Sequence, residues 1–318
     1  MCTRALWSPS RDTVLAGRTM DYEVDLCTNL WAFPRGMRRD GAVDGSLTWT
    51  SRFGSVVASA YDLASTDGLN EAGLAGHLLW LAESEYGERD PDRPALSAAA
   101  WVQYMLDNFA TVADAVDWMR SSRVQVRTSG DPGTGRTVTV HLALDDAAGD
   151  SAIIEYIDGE PRIWHDRSYT VMTNSPPFAE QLERPLDERL REIRGFGGEK
   201  PLPGGTDADE RFARAAYYLD RLPAPADRTM AVAELLSVIR NASQPFRMPD
   251  ADQPNASTTL WRTIADHAEG VYVFESTHRP NIVWVRLDHL DLSERARSAA
   301  SNHAQHERPP GPPSPRRR

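Results

Sequence analysis

Runs of alternating and continuous apolar residues predict a series of short β-strands along the chain. The first two, residues 2–7 and 13–20, are joined by a turn-rich connector at 8–12, Ser-Pro-Ser-Arg-Asp, and therefore predict a hairpin. Further strands are predicted at 55–61, 73–81, 137–144, 151–157, 161–164, 169–172, 271–276 and 281–287. Asp/Gly-rich turns separate several of these segments, which is typical of antiparallel pairing.

The strand predicted at 73–81 differs from the others because almost every residue in it is apolar. A continuous apolar run indicates a strand that is covered on both faces, so we expect a central position in a sheet. Asp67-Gly68, which lies between this strand and the one at 55–61, predicts a turn.

Four segments have apolar residues at helical spacing, and they come in pairs. Residues 96–107 form the first, and a second helix is predicted to begin at Thr111, with Asp114 as its capping partner. The other pair lies at 208–221 and 229–240. Strand groups and helix pairs thus alternate as clusters, which predicts an α+β layered fold with mostly antiparallel sheets.

Composition and charge narrow the function classes. The chain has 318 residues, of which 41% are hydrophobic and 25% charged, so it can bury a sizeable core and is not a disordered protein as a whole. A net charge of -11 argues against a nucleic-acid partner, because phosphate binding requires a basic surface. The sequence contains no run of 18 apolar residues, so no membrane-spanning helix is predicted. The last residues, ending in PPGPPSPRRR, lose all periodicity and predict a disordered tail.

The cysteines and the first residues bear on the cellular compartment. The two cysteines, Cys2 and Cys27, cannot form a disulfide framework, and we expect Cys27 to be a buried structural thiol. The opening MCTRALW has no signal-peptide pattern, so we expect a cytoplasmic protein, unless the true start lies upstream and adds an export signal.

Several common catalytic motifs are absent from the sequence. There is no G-x-S-x-G, no G-x-x-x-x-G-K-[ST] and no H-E-x-x-H, which disfavours lipase, phosphate-binding and metalloprotease chemistry. The eight histidines show no metal-ligand spacing, and no metal site is predicted. His77 and His141 lie within apolar strand patterns, so we assign them structural roles.

Cys2 is the most distinctive candidate for chemistry. Removal of Met1 would make it the first residue, with a thiol of reference pKa about 8.5 and an α-amine of reference pKa about 7.7–8.0 on one residue. Acyl transfer needs little beyond such a nucleophile, a base and an oxyanion hole. The predicted hairpin would return Arg18 and Asp21 close to Cys2, where a cation favours thiolate and a carboxylate orients the amine. The alternative for Cys2 is an ordinary second residue without a function, and the alternative for Arg18 and Asp21 is a surface ion pair.

Six segments, in order, extend this pattern over most of the chain. They are MCTR with GRTMDY (17–22), NLWAFPRGMRRDG (29–41), DGLNEAGLAGHLLWLAESEYG (67–87), VMTNSPPF (171–178), LPGGTDADERFARA (202–215) and ESTHRPNIVWVRLDHLDLS (275–293). Through these segments and their order, the chain resembles the choloylglycine hydrolase and penicillin V acylase family of N-terminal-nucleophile (Ntn) hydrolases. The resemblance implies a single αββα sandwich domain over 2–293, with two mainly antiparallel sheets, and leaves 294–318 as the disordered tail.

The resemblance also assigns roles to individual residues. It implies that Cys2 is the nucleophile and, through its α-amine, the base, that Arg18 lies by the thiolate and substrate, and that Asp21 holds the α-amine. It implies that Asn174 donates from its side-chain amide to the oxyanion and that Arg211 is a second catalytic arginine. No metal or organic cofactor is implied. The implied assembly is a homo-oligomer, a tetramer in many relatives.

One position departs from the patterns of the family. Where bile salt hydrolases carry Asn and penicillin V acylases carry Tyr, this chain has Trp80, whose indole N–H is its only side-chain donor. The oxyanion contact would then come from that indole or from a backbone N–H, and a shift of one residue would place Leu81 there. Trp31 and Phe33 are candidates for lining an acyl pocket. For all three aromatic residues, simple packing is the alternative.

The sequence therefore predicts a hydrolase of linear amides that cleaves a C–N bond between an acyl group and a small amine. The favoured substrates are aromatic or fatty acyl amides, namely penicillin V or N-acyl homoserine lactones. Conjugated bile salts are the alternative substrate. An acyltransferase or hydrolase of a natural-product pathway and a non-catalytic binder of acylated ligands also stay open.

Overall fold

Two large antiparallel β-sheets lie face to face in the computed structural model, which describes residues 1–183, 191–248 and 256–301. The strands are β1 (Cys2–Ser10), β2 (Thr13–Tyr22), β3 (Asn29–Phe33), β4 (Arg38–Asp40), β5 (Thr48–Thr50), β6 (Ser55–Ala60), β7 (Ala64–Asn70), β8 (Ala75–Trp80), β9 (Ala95–Ser97), β10 (Gln125–Arg127), β11 (Val140–Asp145), β12 (Ser151–Ile157), β13 (Glu160–His165), β14 (Val171–Met172), β15 (Thr258–Asp266), β16 (Val271–Ser276), β17 (Asn281–Arg286) and β18 (Ala299–Ser301). The helices are α1 (Ala98–Asn108), α2 (Val112–Ser121), α3 (Phe178–Glu183), α4 (Ala208–Leu219) and α5 (Arg228–Asn241), with a 3₁₀ turn at Leu287–His289.

The two sheets differ in size but share the antiparallel pattern. One has six strands in the order β14-β1-β2-β15-β16-β17, and the other has eight in the order β13-β12-β11-β8-β7-β6-β3-β18. The pairs β4–β5 and β9–β10 are small additions, of which the second is parallel. The predicted hairpin of β1 and β2 is confirmed, and β8 occupies the central position that its apolar run predicted.

Helices cover the outer face of each sheet, which gives the predicted αββα sandwich. α1 packs on the eight-stranded sheet through fully buried side chains such as Trp101 and Met105, and each contributes roughly 1.5–3 kcal/mol by burial. α4 and α5 pack on the six-stranded sheet. Gly17 on β2 permits this approach, because a Cβ there would lie 2.6 Å from Ile239 of α5. No helix in the described ranges is both long and apolar enough to cross a membrane.

The predicted start of α2 is also confirmed. Thr111 is its N-cap, and the threonine hydroxyl accepts a hydrogen bond from the backbone N–H of Asp114 at 3.1 Å. Such a cap typically stabilises a helix by about 1 kcal/mol.

The predicted turn at Asp67-Gly68 is wrong, because both residues lie inside β7. A Cβ at position 68 would lie 2.7 Å from the carbonyl oxygen of Val56, so glycine is needed here for close strand packing. The turn is made instead by Tyr61 and Asp62, which have positive φ angles of 54° and 57°. Asp and Gly are typical of turns, but the chain between β6 and β7 turns earlier, at Tyr61 and Asp62.

Eight of the strands were not predicted, namely β3, β4, β5, β7, β9, β10, β15 and β18. Two of them, β15 and β18, show what the sequence pattern missed. β15 pairs with both β2 and β16 and therefore lies in the middle of the six-stranded sheet, although its sequence TTLWRTIAD is half polar. β18 lies in the segment where a disordered tail was predicted and pairs with β3 at the sheet edge, where unpaired backbone groups accept a strand of any sequence. The rest of the predicted tail, 302–318, lies outside the described residues.

Cys27 is exposed, so the prediction of a buried thiol is wrong. The residue adopts a positive φ of 47° in the loop between β2 and β3, beyond the end of the buried strand. The prediction rested on the apolar character of cysteine, which does not reveal the backbone conformation of the loop.

Candidate active site

The β1–β2 hairpin brings Cys2 and Arg18 together. Cys2 is opposite Met20 and Arg4 is opposite Arg18 in the strand register, and side chains two residues apart in a strand share a face. That face is turned toward the eight-stranded sheet. The Nη2 atom of Arg18 lies 3.6 Å from the sulfur of Cys2, and both residues are buried. The structure thus places this predicted pair in contact.

The guanidinium of Arg18 is held in position by the facing sheet. Nη1 donates to the carbonyl oxygen of Thr66 and Nη2 to that of Leu78, both at 2.5 Å, while the Asp67 carboxylate lies 3.5 Å from Nη1. Burial disfavours the charged form, but the Cys2 sulfur and Asp67 outweigh it, so the pKa of Arg18 lies above its usual value. A fixed cation therefore faces the sulfur.

Asp21 lies on the opposite face of the hairpin, among hydroxyl groups. Its carboxylate accepts hydrogen bonds from Thr259 at 2.6 Å and Thr19 at 3.2 Å, and Arg211 Nη1 lies 3.9 Å away. Met1 precedes Cys2 in the structure, and the Met1 amine donates to the backbone oxygen of Asp21 at 2.6 Å. Burial lowers the pKa of this amine, while the Cys2 and Asp21 charges act against the shift.

Asn174 reaches Cys2 from the loop after β14. Its Oδ1 atom accepts the backbone N–H of Cys2 at 2.7 Å and a second hydrogen bond from Arg211 at 2.7 Å. Its Nδ2 atom donates to the backbone oxygen of Trp80 at 2.7 Å, which leaves one amide hydrogen for another acceptor. The peptide bond between Ser175 and Pro176 that follows is cis.

Arg211 enters from the first turn of α4 and is almost completely buried. Its Nη1 atom donates to the backbone oxygen of Cys2 at 2.5 Å and to the Thr3 hydroxyl at 2.6 Å, while Nε donates to the oxygen of Thr206 at 2.9 Å. Burial lowers the pKa of Arg211, and Asp21 and Cys2 oppose that shift. Arg211 and Asn174 therefore hold the backbone of Cys2, whereas Arg18 holds its sulfur.

Sequence reasoning missed Gln181, which supports Asn174. Gln181 lies on α3 and donates from Nε2 to the backbone oxygens of Asn174 at 2.7 Å and Pro176 at 2.6 Å. Two contacts to one short loop hold the backbone from which the Asn174 side chain projects. No local sequence signal marks this glutamine, because its partners come from the preceding loop.

Trp80 and Leu81 are clearly distinguished by the structure. Trp80 lines the cavity above Cys2, whereas Leu81 is fully buried outside that lining. The backbone N–H of Leu81 already donates to the oxygen of Thr139 at 3.1 Å. The prediction that allowed for Leu81 at the site is therefore wrong, and Trp80 is the residue that faces the substrate space.

A cavity of about 310 Å³ opens onto Cys2 and is mostly apolar. Its lining includes Met20, Leu26, Ala60, Tyr61, Leu63, Leu78, Trp80, Ala98, Val138 and Val140. The charged residues in the lining are Arg18, Asp21 and Asp131, and Asp131 accepts a hydrogen bond from Tyr22. The cavity can therefore take an apolar group next to Cys2.

Trp31 and Phe33 do not line this cavity, contrary to the prediction. They stack on each other at 5.6 Å between ring centroids in a neighbouring cleft of about 330 Å³, where the Trp31 indole donates to Asp62 at 2.6 Å. The reason is topological, because β7 and β6 separate β3 from β8, a distance of roughly 14 Å across three strand spacings. The cleft and the cavity meet at Leu63.

Within the described ranges, no group of three or more His, Cys, Asp or Glu side chains is arranged to hold a metal ion.

Comparison with known proteins gives consistent matches over nearly the whole chain. Residues 2–303 match linear amide C–N hydrolases of the choloylglycine hydrolase family. Penicillin V acylase of Pectobacterium atrosepticum is 44% identical over 321 residues, which cover 94% of this chain and 84% of that protein. The structure of penicillin V acylase from Agrobacterium tumefaciens matches with a TM-score of 0.86 and 45% identity, covering 96% of this chain and 93% of the other.

More distant structures share the fold alone. The R18L variant of conjugated bile acid hydrolase from Clostridium perfringens superposes with a TM-score of 0.79 at 17% identity, covering 94% of this chain and 96% of the other. The architecture is thus common to proteins named for two different substrates.

Proposed function

Because the chain belongs to the choloylglycine hydrolase family and is a penicillin V acylase-like hydrolase of linear amide C–N bonds, we propose that Cys2 is its nucleophile. The observation that carries this proposal is the contact of 3.6 Å between the Arg18 guanidinium and the Cys2 sulfur at the end of an apolar cavity. A buried cation next to a thiol favours the thiolate, which is the reactive form.

The reaction begins once Met1 has been removed. The free α-amine of Cys2 takes the thiol proton, and the sulfur attacks the amide carbon of the substrate. The amide carbonyl oxygen becomes an oxyanion, which the unused hydrogen of Asn174 Nδ2 can stabilise. The C–N bond breaks as the departing amine takes a proton from the α-ammonium group, and a thioester remains. Water, deprotonated by the α-amine, then releases the acid and restores the thiol.

The contacts of Asn174 support its role in this scheme. Two hydrogen bonds orient its side-chain amide: Oδ1 accepts one from Arg211, and Nδ2 donates one to the Trp80 carbonyl oxygen. A donor that is fixed before the reaction stabilises a developing charge without further reorganisation. Arg211 also binds the backbone oxygen of Cys2, so the same cation keeps nucleophile and oxyanion donor in register.

Asp21 is proposed to act on the α-amine after processing. In the structure the Cys2 N–H is a peptide group and donates to Asn174, so the Asp21 carboxylate does not bind it directly. Removal of Met1 would replace that peptide by an amine, in a space where Asp21 is the buried carboxylate on the same strand pair. A carboxylate there stabilises the ammonium form that must later protonate the leaving amine.

The cavity favours aromatic and fatty acyl groups over charged ones. Its lining is mostly aliphatic and aromatic, and the carboxylate of Asp131 would repel an anionic acyl group. We propose penicillin V and N-acyl homoserine lactones as substrates. The names of the similar proteins support the first, and the apolar lining supports a linear acyl chain of the second.

A matched pair of cysteine variants tests the proposed nucleophile. The purified protein is incubated with penicillin V, a long-chain acyl homoserine lactone and glycocholate, and intact mass and free amine are followed. We expect Cys27→Ser to retain turnover, because that thiol is exposed and does not line the cavity, and Cys2→Ser to lose at least about 1,000-fold. Full turnover by folded Cys2→Ser protein would rule out the mechanism.

We also propose a homo-oligomer, a tetramer as the family resemblance implies. Exposed Ile282 and Trp284 on β17, the edge strand of the six-stranded sheet, support a contact between chains. Light scattering coupled to size-exclusion chromatography should give about four times the chain mass. A monomer mass at all concentrations would contradict it.

A further inference from the structure

A row of buried charged side chains crosses the interface between the two sheets behind Arg18. Arg4 and Arg18 are directly opposite each other on β1 and β2, and both point toward the eight-stranded sheet. Facing them are Asp67 and His77, which are opposite each other on β7 and β8, and Asp145 at the end of β11. All five are fully buried. We call this set the inter-sheet charge row.

Asp67 has four partners, two within the inter-sheet charge row and two outside it. Its Oδ2 atom lies 2.5 Å from His77 Nδ1 and 3.5 Å from Arg18 Nη1, while Oδ1 accepts from Thr263 at 3.0 Å and Tyr272 at 2.5 Å. Burial alone would raise the pKa of Asp67, but His77, Arg18 and Tyr272 outweigh it and hold that pKa below its usual value. Asp67 is therefore an anion at neutral pH.

The rest of the row balances the remaining charge. His77 Nε2 lies 3.2 Å from Asp145, and Asp145 accepts from Arg4 Nε at 3.0 Å. Burial lowers the pKa of His77, and Asp67 opposes that shift. Two arginines thus face two carboxylates, with His77 between them. Thiolate formation at Cys2 adds one negative charge beside Arg18.

Besides the two carbonyl oxygens that hold its guanidinium, Arg18 faces a carboxylate and a sulfur, because Nη1 lies 3.5 Å from Asp67 and Nη2 lies 3.6 Å from Cys2. We propose that Asp67 is the counter-charge of Arg18 and thereby controls how strongly Arg18 stabilises the Cys2 thiolate. The inference rests on the proposed role of Cys2 as nucleophile. In this view Asp67 is a positioning residue, since it acts through Arg18 and does not line the cavity.

The other charged groups around Cys2 act from different directions. Asp21 on β2 and Arg211 on α4 face its backbone, and the Arg211 Nη1 atom lies 3.9 Å from the Asp21 carboxylate, so these two charges largely offset each other. Replacing Asp67 leaves both unchanged. The excess positive charge on Arg18 would then be compensated only by the sulfur, so the thiolate should form at lower pH.

The test measures the pH dependence of Cys2 alkylation by iodoacetamide, read by intact mass on protein that has lost Met1. All variants carry Cys27→Ser, because that exposed thiol would otherwise react. Asp67→Asn should lower the midpoint by about one pH unit. Tyr272→Phe keeps the carboxylate but removes one donor from it, so Asp67 draws more strongly on Arg18 and the midpoint should rise by about 0.3 pH unit.

Asp107→Asn is the matched control. Asp107 is also a buried carboxylate paired with an arginine, Arg39 at 2.9 Å, but it lies in the layer between α1 and the eight-stranded sheet. Its substitution should leave the midpoint unchanged. A purely structural role for Asp67 would predict the same result for both carboxylates.

An unchanged or higher midpoint in folded Asp67→Asn would overturn the inference. If Asp67→Asn does not fold, Tyr272→Phe decides alone, and an unchanged or lower midpoint there would overturn it. Alkylation needs no substrate, so the result is independent of turnover. Turnover by Cys2→Ser would disprove the proposed nucleophile without altering the alkylation midpoints.

Discussion

Two sets of contacts hold Cys2, and they differ in origin and in what they hold. The sulfur is held by Arg18, which comes from the same β-hairpin only 16 residues along the chain. The backbone is held by Asn174 and Arg211, which come from a loop and a helix 172 and 209 residues away. In the proposed mechanism the local contacts govern the charge of the thiol, whereas the long-range contacts fix the amine and the proposed oxyanion donor. Perturbing each set should therefore produce a different kinetic result.

Asn174→Ala is the sharpest way to separate the two sets. The variant removes the amide hydrogen proposed for the oxyanion, and loss of one such donor costs on the order of 10²–10³ in kcat. The alkylation midpoint of Cys2 should stay unchanged, because the Arg18 contact is intact. Steady-state kinetics with penicillin V and the alkylation titration check both statements.

A loss below about threefold in kcat would show that Asn174 is not an oxyanion donor. A midpoint shifted as far as in Asp67→Asn would mean that the two sets of contacts are not separable. In either case the comparison between sulfur contacts and backbone contacts would fail.

A smaller effect sets the pH range in which the comparison can be made. His267 is fully buried and donates from its ring to the Gly73 carbonyl at 2.8 Å, and burial lowers its pKa to about 3. The unfolded chain binds this proton near pH 6.5, so stability is complete above that pH and falls as the pH drops toward 3. Between pH 7.5 and 5 the loss from this residue should be about 2 kcal/mol.

Urea unfolding of the protein and of His267→Asn at both pH values checks the effect. The variant retains a donor for Gly73 but does not titrate, so its stability should depend on pH less by that amount. An equal loss in both proteins would assign the acid sensitivity to other groups. If His267 accounts for the loss, alkylation titrations should be confined to the range above pH 6.5, where its contribution to stability is complete.

The sequence could predict the local contacts but not the distant ones. The alternation in residues 2–20 predicts a hairpin, and a hairpin alone returns Arg18 and Asp21 to the neighbourhood of Cys2. Asn174 and Arg211 could be assigned only through family resemblance, because no local rule links a loop and a helix so far apart in the chain. The resemblance did not identify Gln181 either, since its partners are backbone atoms.

Errors arose where tertiary packing overrode local chemistry. Asp67-Gly68 has the composition of a turn, yet close packing against Val56 places it inside β7, and the inter-sheet charge row was hidden by that misassignment. Trp31 and Phe33 were assigned to the acyl cavity from aromatic character, although strand order places them in another cleft. His77 was assigned a structural role from its apolar strand pattern alone, whereas its two carboxylate partners come from other strands that this pattern does not reveal.

The central claim is that the α-amine of Cys2 takes part in catalysis, and a removable N-terminal extension that ends directly before Cys2 tests it. With the extension in place the Cys2 N–H is a peptide group, as it is beside Met1 in the structure, and it cannot accept a proton. We expect penicillin V turnover to be at least about 100-fold lower before cleavage and to appear after proteolytic release of Cys2. Equal turnover before and after cleavage would contradict the account.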